Sequence, residues 1–117
     1  MNLKSPFLHE RLLAYTVSLD YYRVVRRIVK QMPRGNAQLA DQITRAGRTN
    51  YLAIAEGANS RGAKMKYVYF DRALASQGES ASCLDGLIID EAASEEIVAE
   101  ARALLERATR LTLVLIR

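Results

Sequence analysis

The sequence predicts an all-α protein, an antiparallel up-down-up-down four-helix bundle in which residues 1–117 form one domain. Three observations predict it. Apolar residues recur at spacings of three and four, the period of one helix face. Turn-forming residues interrupt the pattern at Pro33 to Asn36, at Gly57 to Gly62 and at Asp90 to Ser94. No alternating segments joined by an Asn-Gly hairpin occur. Amphipathic helices separated by such short turns bury their faces by packing antiparallel around one core.

The first helix is expected over 8–32, with Leu8, Leu12, Tyr15, Leu19 and Tyr22 as its stripe and Val25, Val29 and Met32 continuing it. Pro33 ends it. The second is expected over 37–57 with Asn36 as its N-cap. Leu39, Ile43, Ala46, Asn50, Ala53 and Ile54 line it, and Gly57 is placed to end it in a left-handed cap. The third, over 63–88, carries Tyr67, Phe70, Leu74, Ala81, Leu84 and Ile88, with Ser60 as a candidate cap. The fourth, over 95–116, follows Ser94 as its cap, and Glu95 and Glu96 suit its positive end. Ile97, Ala101, Leu104, Ala108, Leu111 and Leu115 form its seam. Val98, Leu105, Thr112 and Ile116 run beside it.

Composition narrows the function. No apolar run approaches the ~18 residues that cross a bilayer, and the first residues lack the apolar stretch of a signal peptide. A single cysteine, Cys83, cannot close an internal disulfide. These features place the protein in the cytoplasm, off the membrane. One histidine, His9, excludes a di-iron bundle built on paired Glu-x-x-His motifs. Cys83 has no nearby cysteine or histidine for zinc and is expected as a small core residue. Neither a Walker loop nor a nucleophile elbow is present. A non-enzymatic protein without metal or cofactor is expected.

Charge is unevenly divided. Residues 1–72 carry thirteen Lys and Arg against five Asp and Glu, whereas residues 73–117 carry four against eight. Such a split marks a basic binding surface or two halves that neutralise each other across the bundle. Arg23, Arg26, Arg27 and Lys30 fall at i, i+3, i+4 and i+7, one face of the first helix. Phosphates suit such a face, because each cation contact releases condensed counterions. Arg34, Arg45 and Arg48 lie in support. The alternative is a solvated face, or one paired with the acidic fourth helix. A second basic group, Ser60, Arg61, Lys64 and Lys66, stands where the third helix begins, and lysines there oppose the macrodipole. A phosphate held by that helix start is one reading and an ordinary basic turn the other.

Three further features fit either association with another chain or packing and fraying within the bundle itself, with core lining the default for the tyrosines. The segment from Ala73 to Ser82 is unusually small for a helix interior, with Gly78 in its middle, so another backbone can come close. Tyr21, Tyr51, Tyr67 and Tyr69 are of a type common at interfaces. The run Leu111 to Ile116 is apolar on all sides except Thr112, more than one buried face requires.

Across the second and third helices the chain resembles a known family. Arg45 and Ala46, then Ile54, Ala55, Glu56 and Gly57, then Arg61, then Ala73 to Ser76 and Glu79 follow its pattern in order. The family is the bacterial four-helix bundle proteins related to those encoded in intervening sequences of large-subunit ribosomal RNA genes. The accessory variability proteins of diversity-generating retroelements are similar to it. In place of the family's Ser-Ile-Pro-x-Asn run this chain has Thr49 to Ala53. The resemblance implies a homopentamer, no catalytic activity and, for the retroelement relative, binding to RNA or DNA and to a reverse transcriptase.

The leading expectation is an oligomeric adaptor that binds nucleic acid through Arg23, Arg26, Arg27, Lys30, Arg34, Arg45 and Arg48. The alternative is a protein-interaction scaffold without a nucleic-acid role. An enzyme would have to use Glu56, Asp71 or Glu79, and Glu56 is expected to be held by an arginine such as Arg72.

Overall fold

In a computed structural model covering Met1 to Arg117, four helices carry the chain. They are α1 (Leu13–Gln31), α2 (Ala37–Asn59), α3 (Ala63–Ile89) and α4 (Glu95–Ile116), preceded by a short 3-10 turn at Leu8–Arg11. Helices α1 and α3 each pack on both α2 and α4, so the four close a square with α1 diagonal to α3. The result is the expected up-down-up-down bundle, 44 × 25 × 20 Å. The α1–α2 and α3–α4 turns lie at one end, called upper here. Both termini and the α2–α3 turn lie at the lower end.

The first helix starts five residues later than expected. Glu10 accepts a hydrogen bond from the Ser5 hydroxyl, and Arg11 Nε donates to the Ser5 carbonyl at 2.9 Å. These contacts fold residues 5–11 into a separate turn, and Leu12 is extended before α1 begins. Leu8 is accordingly exposed. The buried line of α1 is Ala14, Val17, Ser18, Tyr21, Val24, Val25 and Ile28, one row away from the expected stripe.

Several helix ends use different partners from those expected. Asn36 makes no side-chain cap; its Nδ2 donates to the Pro33 carbonyl at 3.0 Å. Gly57 remains helical, and α2 runs on to Asn59. Its lack of a side chain serves packing instead, because a Cβ there would stand 2.6 Å from the Phe70 ring. The left-handed glycine is Gly35, with φ of 94° in the α1–α2 turn. Ser60 closes α2 rather than opening α3, donating its hydroxyl to the Glu56 carbonyl at 2.7 Å. Ser94 does cap α4, its hydroxyl accepting the Ile97 N–H at 3.4 Å.

The core has two apolar parts. Twelve residues, among them Tyr21, Val25, Ile28, Ile43, Leu84, Leu87 and Leu105, fill the upper half. Four residues, Ala14, Ala53, Ile54 and Ala73, fill the lower half. A polar layer lies between them. Gln77 Nε2 donates to Asn50 Oδ1 at 2.9 Å and to Thr112 Oγ1 at 3.0 Å, joining α3 to α2 and α4. Ser18 and Ser80 are fully buried beside it. On α3 the expected Tyr67 and Ile88 are exposed, and the core side carries Phe70, Ala73, Gln77, Cys83, Leu84 and Leu87.

Candidate nucleic-acid interface

The repeat of α1 sets its basic face. Tyr21, Val24, Val25 and Ile28 turn inward, so the residues between them turn out. Arg23, Arg26, Arg27 and Lys30 are all exposed, as the spacing predicts. Arg34 stands above them in the turn that Pro33 and Gly35 shape. Arg45 and Arg48 project from α2 alongside.

These seven cations are not equivalent. Arg23 pairs with Asp20 at 2.7 Å, and Arg45 with Asp41 at 3.2 Å, each within its own helix. Arg27 crosses to Glu100 of α4 at 3.2 Å. Arg26, Lys30 and Arg34 have no acidic partner. Arg27 to Glu100 is the one ion pair between residues 1–72 and residues 73–117. Direct neutralisation between the basic and acidic parts of the chain is therefore limited to that one pair. All these pairs are exposed, where each contributes little and opens readily to a competing anion.

Arg48 is held differently. Its Nη2 donates to the Tyr22 hydroxyl at 2.9 Å, and its guanidinium lies 5.9 Å from the centre of that ring. The bond to Tyr22, reinforced by Tyr51, pushes the guanidinium pKa up. Tyr22 reaches this position because residue 47 is glycine, where a Cβ would stand 3.1 Å from the tyrosine ring. Tyr22 and Tyr51 then meet edge to face at 5.1 Å, and Tyr51 meets Tyr15 at 6.4 Å. Tyr15 meets His9 at 4.6 Å, and His9 meets Phe7 at 6.2 Å. Five rings thus run in one row from the α1–α2 seam to the N-terminal turn, below the cations. Burial, then Tyr51 and then Glu10, push the Tyr15 phenol pKa up. Sequence reading misses this row, since its rings come from three separate segments. The single local trace is Tyr15 and Tyr22, seven residues apart on one face of α1.

The second basic group does not come together. The Ser60 hydroxyl is committed to Glu56. Lys66 Nζ donates to the carbonyls of Gly57 and Ala58 at 3.3 and 3.0 Å, so it serves the C-terminal end of α2. That explains a lysine in the first turn of α3 without a ligand. Arg61 and Lys64 are exposed and unpaired.

The other candidates are quickly placed. Glu56 is exposed and unpaired, and Arg72 lies over the Tyr69 ring at 5.6 Å instead of holding it. Cys83 is buried, and burial, then Glu79, push its thiol pKa up. No three His, Cys, Asp or Glu side chains group as metal ligands would. No helix is long and apolar enough to cross a membrane. Comparison of the chain with protein-family models and with curated proteins finds no match.

Proposed function

We propose that this protein is a non-enzymatic, oligomeric nucleic-acid-binding adaptor whose contact surface is the outer face of α1, the α1–α2 turn and the adjoining side of α2. The observation that carries the reading is the set Arg26, Lys30 and Arg34, exposed on one face without an acid to satisfy them. Arg23, Arg27 and Arg45 add cations whose surface ion pairs exchange easily for phosphates. Phosphate contacts of this kind give salt-dependent affinity. The resemblance to the intervening-sequence family supports assembly as a homopentamer and, through the retroelement relative, a reverse transcriptase as partner. A ring would repeat one modest patch several times and raise avidity without new contacts.

Filter binding at two salt concentrations tests this reading. Affinity for RNA or DNA should fall steeply with salt, and Arg26→Ala with Lys30→Ala should flatten that slope by about two contacts. Affinity indifferent to both changes would refute it. Light scattering after size-exclusion chromatography tests the assembly, and a monomer at working concentration would remove the ring.

A second reading, a protein-interaction scaffold, draws on the lower end of the bundle. Tyr67, Leu113 and Val114 are 57, 48 and 55 % exposed there. A partner captured from lysate equally well before and after nuclease treatment would favour it.

A further inference from the structure

We infer that the face where α1 meets α2 is a track for single-stranded nucleic acid, in which bases stack on the Tyr51, Tyr22 and Arg48 end of the aromatic row while phosphates follow Arg26, Lys30 and Arg34. The inference rests on the nucleic-acid reading above and adds the class of strand.

Three observations carry it. The ring row and the cation group occupy the same two helices, and Arg48 joins them: it lies over Tyr22, with one N–H bonded to the tyrosine hydroxyl. Its other N–H groups remain to hold a phosphate, and its plane offers a base a stacking surface. Second, Tyr15, Tyr22 and Tyr51 are half-buried, so part of each side chain reaches solvent. Third, Asp20 and Asp41 are already engaged by Arg23 and Arg45. Arg26, Lys30, Arg34 and Arg48 therefore remain as cations without an acidic partner beside the rings.

A duplex could use the cations alone. Its bases are stacked inside and its outer surface is phosphate and sugar. A row of rings repays only a strand whose bases are free, and stacking of that kind tolerates any sequence. Helix packing alone would also place rings between α1 and α2, and the experiment separates the two.

Fluorescence anisotropy on the full chain, with end-labelled RNA and DNA strands of about 12 nucleotides and the matching duplex, is the test. Single strands should bind at least about 10-fold more tightly than duplex at one salt concentration. Tyr51→Leu should weaken single-strand binding about 10-fold. Tyr51→Phe should not, and neither change should alter duplex affinity. RNA and DNA strands together identify which sugar is preferred. Equal affinity for strand and duplex, both lost in Arg26→Ala with Lys30→Ala, would overturn the track and leave the electrostatic reading standing. No binding to any nucleic acid would overturn both. If Tyr51→Leu loses its helical circular dichroism, wild-type emission decides, because a chain without tryptophan emits from tyrosine. Quenching by an unlabelled strand, but not by duplex, supports the track; unchanged emission overturns it.

Discussion

Gly57 and Gly78 both sit inside helices, for opposite reasons. Gly57 leaves room for the Phe70 ring, whereas a Cβ at Gly78 would meet nothing within 4 Å. Gly57→Ala should therefore destabilise by about 1–3 kcal/mol, since a buried ring has to move. Gly78→Ala should stabilise by up to about 1 kcal/mol through helix propensity alone. Thermal melts of the two variants check the contrast. Tyr21 shows a different residue-level effect. Its phenol is fully buried, and burial pushes its pKa up to about 12 against the Ser80 hydroxyl, which pulls the other way. The unfolded chain loses this proton near pH 10 and the native chain near pH 12, so the stabilisation is complete below pH 10 and is lost as pH rises through that window. The loss amounts to roughly 2–3 kcal/mol, and Tyr21→Phe should flatten the alkaline limb of a denaturant-midpoint series.

At the scale of elements, caps and the polar layer give the clearest expectations. Ser94→Ala should cost about 1 kcal/mol, because the Ile97 N–H loses its acceptor. Asn36→Ala should cost less, since that side chain caps nothing. Gln77→Leu should cost about 1–3 kcal/mol, leaving the buried Asn50 Oδ1 without its donor. Replacing Asn50 by leucine as well should recover part of that loss, and urea titrations of the single and double variants measure the difference. The number and order of the helices are legible in the sequence, because apolar period and punctuation are local. The bounds of α4 are legible too, since Ser94 and the two glutamates act within one turn. The phase of α1 is not. It carries two adjacent apolar rows, and packing against α2 and α4 determines which faces the centre. Ser60 is misplaced as a cap of α3 for the same reason: its acceptor, like those of Lys66, belongs to the end of α2, which spacing within α3 cannot reveal.

At the scale of the molecule, charge is the feature most open to test. The cation face of α1 is legible as an i, i+3, i+4, i+7 pattern, but which cations are unpaired is not, because Glu100 lies 73 residues from Arg27. The ring row escapes sequence reading likewise, since His9, Tyr51 and Tyr22 meet only when α1, α2 and the leading turn are assembled. The divided core has a consequence of its own. The lower cluster is mostly alanine and the upper one is rich in branched and aromatic side chains, with a hydrogen-bonded layer between. Cooperative breathing should therefore begin at the lower end and stall at that layer, so that backbone amides around Ile54 and Ala73 exchange with deuterium sooner than those around Ile28 and Leu87.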